Sequence, residues 1–178
     1  MKQTSAQWWN QTKSDPSKLI AWLKDQYHGE KTAAKRIKEL FFTAGNTLTN
    51  KEASLLERII KEEERHAHWV KTLLTVRGIK PEILVKEERY WNKVLPKTEA
   101  SKEQLAAIAH LAETMRLERI GVIAADTQCP KDIRNVFKRI LPMELNHAKW
   151  FAELSTNEHI KSALANHHDG MNELGLVI

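Results

Sequence analysis

The sequence predicts an all-α protein, a four-helix bundle with a long crossover between its second and third helices and a short C-terminal helix. Three observations carry this reading. Strand patterning is nearly absent, whereas helix-start signals recur along the 178 residues. The motif E-x-x-H-A-x-W occurs twice, from Glu63 to Trp69 and from Glu144 to Trp150. Each copy follows a segment that opens on a glutamate, EKTAAKRI at Glu30 and ETMRLERI at Glu113, which lie 33 and 31 residues upstream. Arg58-Ile59 and Arg139-Ile140 extend the match on the other side. A helix with one glutamate, a turn and a helix with E-x-x-H thus form a unit, and two units make a bundle. The chain is a single domain long, 1–178, with its core bundle expected at about residues 15–154.

The first bundle helix starts where Asp15 offers an N-cap and Pro16 a first-turn proline, and it is expected to run to about Ala44, before a break at Gly45-Asn46. Its inward stripe is Ile20, Leu23, Tyr27, Glu30, Ala34, Ile37 and Phe41. Thr49 and Glu52 have the capping-box pattern and start the second helix, whose stripe of Leu56, Ile59, Glu63, His66, Val70 and Leu73 ends near Gly78. Lys80 to Pro96 is too long for a hairpin turn. Within it, ILVKEERYWNKVL reads as a short helix crossing the bundle, with Ile83, Leu84, Trp91 and Leu95 covering one side of the core. Ser101 and Gln104 form a second capping box, and the third helix follows with the stripe Leu105, Ala109, Glu113, Leu117, Ile120 and Ala124. A turn at Gln128-Cys129-Pro130 leads to the fourth, which carries Ile133, Phe137, Ile140, Glu144, His147 and Phe151 inward. Pro142 removes an amide bond two residues before Glu144 and predicts a kink or a π-type bulge there. After Ser155-Thr156 a shorter helix should reach about Asp169, followed by a tail.

Glutamate and histidine three residues apart project from one helix face, so two facing E-x-x-H helices bring four ligating groups together. The upstream glutamates raise the candidates to six: Glu30, Glu63, His66, Glu113, Glu144 and His147. These fall within apolar stripes, where an unpaired carboxylate is too costly to keep without a cation or a proton. Carboxylates with imidazole suit iron or manganese, and the absence of cysteine ligands disfavours a structural zinc site. Two ions, iron or alternatively manganese, are expected. Glu113 competes with Glu118 on the same helix, but the alignment of Arg36-Ile37 with Arg119-Ile120 favours Glu113. His110 reads as a capping or surface residue, and His68, two positions after His66, faces away from the site. His167-His168-Asp169 reads as an exposed terminal cluster. Trp69 and Trp150 follow the histidines by one turn and should wall the bundle ends. Tyr27, one turn from Glu30, reads as a packed core tyrosine.

A net charge of +5 and a pI near 9.3 are compatible with an anionic partner, but the basic residues are dispersed among glutamates, which argues against a nucleic-acid footprint. The single cysteine, Cys129, excludes an internal disulfide framework and any C-x-x-C iron or zinc site, so an electron donor must come from outside the chain. No apolar run is long enough for a bilayer, and the N-terminus lacks a secretory apolar core, which gives the expectation of a soluble, cytoplasmic protein with no membrane partner. A homodimer is compatible with these features.

The span from about Ile20 to Leu154 resembles the rubrerythrin-like and bacterioferritin-like branch of the ferritin-like superfamily, with KEEERHAHW especially similar to the second helix of rubrerythrin-type domains. The resemblance implies a ferritin-like bundle with a di-iron centre at the six residues above that reacts with dioxygen or peroxide. Two departures qualify it. No rubredoxin-like cysteines follow the bundle, and the extra glutamate that rubrerythrins place one turn after the third-helix ligand corresponds here to Arg116. Three functions follow as expectations: a di-iron or di-manganese oxidoreductase, a hydroxylase or oxygenase of an organic or nucleic-acid substrate, and a metal-binding interaction protein without turnover.

Overall fold

The computed structural model describes residues 3–43 and 47–176, and these contain seven helices and no strand. They are α1 (Ser5–Ser14), α2 (Pro16–Phe41), α3 (Asn50–Thr75), α4 (Arg89–Val94), α5 (Lys102–Ala125), α6 (Lys131–Leu154) and α7 (Asn157–Glu173). The four predicted bundle helices are α2, α3, α5 and α6. Three of their starts are set by the residues expected to set them. The Asp15 carboxylate accepts from the amides of Ser17 and Lys18, and the Thr49–Glu52 and Ser101–Gln104 boxes close reciprocally. Ala44, Gly45 and Asn46, at the expected break after the first bundle helix, lie outside the described residues.

The bundle is pinned at both ends by apolar clusters. At one end Leu23 of α2, Val70 and Leu74 of α3, Ile123 of α5 and Ile133 and Phe137 of α6 pack together. At the other, Phe41, Leu56, Leu105 and Phe151 from the same four helices do so. The order of these residues along each helix makes α2 and α3 antiparallel, α5 and α6 antiparallel, and α3 and α5 parallel. Residues 76–101 therefore run the length of the bundle, which is the long crossover. The E-x-x-H motifs fall in the middle, between the clusters.

Elements outside the four helices differ from the expectation. The N-terminal segment forms α1, capped by Thr4, and its Trp9 is fully buried. Trp9 lies 5.2 Å from Trp22, and its indole N–H donates to Asp126 Oδ2 at 2.8 Å, which Lys13 also holds at 2.7 Å. The crossover helix is only Arg89–Val94, and Ile83 does not cover the core; it is exposed, as is Val85, while Tyr90 and Val94 are the buried members. Pro142 introduces no π turn, since α6 is α-helical throughout. The C-terminal helix α7 continues past Asp169 to Glu173, and His167 is buried rather than exposed, with Nδ1 2.8 Å from the Tyr90 hydroxyl. Gly170 makes this approach of α7 to α4 feasible, because a Cβ there would lie 2.7 Å from the Tyr90 ring. No helix among the described residues is long and apolar enough to cross a membrane.

Candidate metal centre

Each half of the bundle contributes the same three side chains from the same register. Glu30 comes from the middle of α2, and Glu63 and His66 from adjacent turns of α3. Glu113 comes from α5, and Glu144 and His147 from adjacent turns of α6. All six are buried, five of them completely and Glu113 to within 7 % of full burial. The rings of His66 and His147 face each other across the site at 5.8 Å.

The first four groups to meet are Glu30, Glu63, His66 and Glu144, each of which offers a ligand atom within 4.8 Å of the others. His66 Nδ1 lies 3.3 Å from Glu144 Oε1 and 3.6 Å from Glu30 Oε2. His147 reaches the same carboxylates from the opposite side, with Nδ1 3.0 Å from Glu63 Oε1 and 3.2 Å from Glu144 Oε2. Glu113 does not join this set. Its nearest charged partner is Arg116, one turn along α5, whose Nη1 stands 3.5 Å from Glu113 Oε2.

Arg116 is the central residue that the sequence did not place. Its guanidinium enters among all four glutamates, with Nη2 2.6 Å from Glu30 Oε1 and 3.2 Å from Glu144 Oε1, and Nη1 3.9 Å from Glu63 Oε2. The pseudo-equivalent position on α2, three residues after Glu30, is Ala33. Two further neighbours were also missed, and the repeat pairs them. Glu62, just before Glu63, accepts a hydrogen bond from His147 Nε2 at 2.9 Å and is itself held by Arg58 Nε at 3.1 Å. Met143, just before Glu144, meets His66 Nε2 with its thioether sulfur at 3.2 Å. A thioether only accepts, so Nε2 of His66 carries a proton and Nδ1 is the nitrogen that faces the carboxylates. The two rings thus differ in the outer partner that would tune them as ligands.

The electrostatics follow from this packing. Burial resists charge on Glu144 and Glu30, but Arg116 and the histidines overcome it, and both carboxyls are held below the usual range, Glu144 far below. Burial together with Glu144 and Glu30 pushes Glu63 up to about 7. Burial and Glu144 push Glu113 well above the usual carboxylate range, despite Arg116. Burial pulls the histidines down, yet their carboxylate neighbours raise His66 to about 10 and His147 to about 11. Without an added cation this centre therefore holds protons on its imidazoles.

The fully buried polar atoms left without a hydrogen bond mark where a cation fits. Among the described residues they are Glu30 Oε2, both oxygens of Glu63, His66 Nδ1 and Glu144 Oε1. They belong to the same four residues whose ligand atoms cluster. Oxygen-rich donors with one imidazole nitrogen match iron or manganese. His147, by contrast, has both ring nitrogens hydrogen-bonded, to Glu144 and Glu62.

The remaining candidates take lesser parts. His68 is exposed and Glu118 points to solvent, as expected. His110 is partly buried, its Nδ1 2.8 Å from the Ala148 carbonyl, and takes no part in the cluster. Trp69 and Trp150 lie 5.8 and 6.1 Å from His66 and His147, walling the centre. A cavity of about 160 Å³ reaches the site from the crossover side. It is lined by apolar side chains including Ile37, Phe41, Ile108 and Phe151, with Glu113 and Arg116 at its inner end. At its mouth Leu84 N–H donates to His28 Nδ1 at 3.2 Å, so His28 Nε2 carries the proton it gives to Glu88 at 2.7 Å. Arg36 grips the same glutamate at 3.2 Å and lies over the Trp91 ring. These contacts tie the crossover to α2.

A family model described as Rubrerythrin matches residues 22–155. No curated protein matches the chain, and no solved structure does.

Proposed function

This chain belongs to the rubrerythrin family, within the ferritin-like superfamily, and from that premise we propose that it is a metal-dependent oxidoreductase, using iron or manganese, that reacts with dioxygen or peroxide. The observation that carries the reading is the set of buried atoms without a hydrogen bond on Glu30, Glu63, His66 and Glu144, whose ligand atoms cluster within 4.8 Å. These four residues would hold the metal, and His147 would steady Glu63 and Glu144 from the far side. The metal, when bound, supplies reversible electron transfer to the oxygen species, replenished by an external donor. The protein supplies the rest. Arg116 keeps Glu30 and Glu144 ionised and fixed in place. Glu113 stays protonated at the inner end of the cavity, where its carboxyl can give a proton to a reduced oxygen species arriving there.

The test is anaerobic loading with ferrous iron, followed by oxygen or peroxide with optical monitoring. Wild type should consume the oxidant with a metal-dependent absorbance change, and Glu63→Gln and His66→Ala should lose both. Equal consumption by metal-free protein would contradict the reading.

The apolar cavity favours a second reading, in which the oxidant is spent on hydroxylating a small organic substrate. A cavity near this size accommodates a molecule about as large as benzene. Ala109→Phe, which fills it, should block oxidation of such a substrate while sparing peroxide consumption. Unchanged substrate oxidation in that variant would remove the second reading.

A further inference from the structure

We propose that the Arg116 guanidinium takes the place of the second metal ion, so that this centre holds one ion, on the Glu30, Glu63, His66 and Glu144 side, and not the pair expected of its family. The inference rests on the metal-binding reading above and refines its stoichiometry.

Three observations carry it. The first is position. Arg116 touches Glu30, Glu144, Glu63 and Glu113, the four carboxylates that a pair of ions would have to share. Its Nη1 lies 3.5 Å from Glu113 Oε2 and 3.9 Å from Glu63 Oε2, so the guanidinium occupies the space in which Glu113 would meet an ion. The second is the distribution of fully buried polar atoms without a hydrogen bond. Among the described residues all of them lie on Glu30, Glu63, His66 and Glu144, while both nitrogens of His147 have hydrogen-bond partners at 3.2 and 2.9 Å and Glu113 Oε2 faces Arg116. The third is charge. Arg116 already sets one fixed positive charge among Glu30, Glu63, Glu113 and Glu144, and two divalent ions would have to sit beside it in the same buried site, where like charges repel most strongly. A single ion reduces that repulsion. Arginine suits this part because it remains charged and its planar fork presents several donors in fixed directions.

The fold leaves room for the substitution. Ala33, the counterpart of Arg116 on α2, lines the same cavity and offers no side chain to compete for the space. The arginine is also three-quarters buried, with its outer edge on that cavity. A guanidinium cannot dissociate, so one positive charge of the centre is permanent whatever the metal supply.

The experiment loads the full chain with Mn(II) alone and measures bound metal by mass spectrometry, with electron paramagnetic resonance on the same samples. Wild type should bind about one ion per chain with the spectrum of an isolated ion. Arg116→Glu, which supplies a carboxylate in place of the cation, should bind about two ions with the broadened spectrum of an exchange-coupled pair. Arg116→Gln, the neutral control, reports independently if the glutamate variant fails to fold, and it too should exceed one ion. Two coupled ions in wild type would overturn the single-ion proposal while leaving metal binding intact. No bound metal in wild type would overturn the metal-binding reading itself. One ion in every folded variant would show that Arg116 is not what limits the count, and would also overturn the proposal.

Discussion

The two halves of the bundle share a register but not a chemistry. Glu30, Glu63 and His66 superpose in sequence on Glu113, Glu144 and His147, yet two neighbouring positions break the match: Ala33 against Arg116, and Glu62 against Met143. Because each E-x-x-H helix faces the other, the outer partner of one half's histidine comes from the opposite half. His147 gives its proton to a carboxylate, and His66 meets a thioether. On the proposal above, the half with Glu30, Glu63 and His66 is open to a cation, and the other, which lends only Glu144, is closed by its own arginine. Helical spacing sets where side chains converge. Which of them remain available is set by residues one or three positions away.

Breaking the open half should have the largest effect. His66→Ala removes the only free imidazole nitrogen of the centre, and metal occupancy measured after dialysis should fall to background. His147→Ala should cost much less, about tenfold in affinity, because that ring acts through Glu63 and Glu144. Equal losses in the two variants would mean that the halves are equivalent and that the comparison fails.

The closed half should show itself in the metal-free protein. Arg116→Met leaves buried carboxylates without their fixed counter-charge, so urea unfolding of the apo form should show a loss of about 3–5 kcal/mol, with part of it recovered on adding metal. A negligible change would mean that the guanidinium does not neutralise the cluster.

The pH dependence has opposite signs for the two forms. The histidines are raised above their ordinary value of 6.5, to about 10 and about 11, so their contribution to apo stability is complete below 6.5 and is lost as pH rises through the folded values. Glu63, raised to about 7, already weakens the apo fold as pH climbs from 4.5 to 7. Metal binding needs those same groups deprotonated, so affinity should increase from about pH 6 to about pH 8 with release of protons, measurable by calorimetry in two buffers. Affinity that fell over this range would contradict the assigned proton positions.

The smallest change sharpens the comparison by making the halves alike. Met143→Glu would give His66 the carboxylate partner that Glu62 gives His147, and should tighten metal binding by about tenfold. No change would mean that the outer partner of His66 is immaterial.

Much of this arrangement was legible in the sequence. Asp15-Pro16 and the two capping boxes announce three helix starts through local hydrogen bonds, and local chemistry survives folding. The stripes of α3 and α6 are buried as the spacing predicts, with Glu63, His66, Glu144 and His147 among them. What escaped depends on distant contacts. Trp8 and Trp9 sit in a polar stretch and are ordered through Trp22 and Asp126. His167 is buried because Gly170 lets α7 meet Tyr90. Ile83 and Val85 look like core residues but lie in a segment held down by the polar contacts of His28, Arg36 and Glu88. Arg116 was noticed as a departure from the family pattern. Its reach into the cluster brings it against carboxylates on three other helices, far away in sequence.

The most direct measurement of the central claim is anomalous diffraction from crystals of metal-loaded wild-type protein, recorded at the edge of the added metal. The account predicts a single peak among Glu30, Glu63, His66 and Glu144, with the Arg116 guanidinium still against Glu113. Two peaks of similar height bridged by Glu63 and Glu144, with Arg116 swung out into the cavity, would contradict it, as would a fully loaded crystal with no peak between these helices.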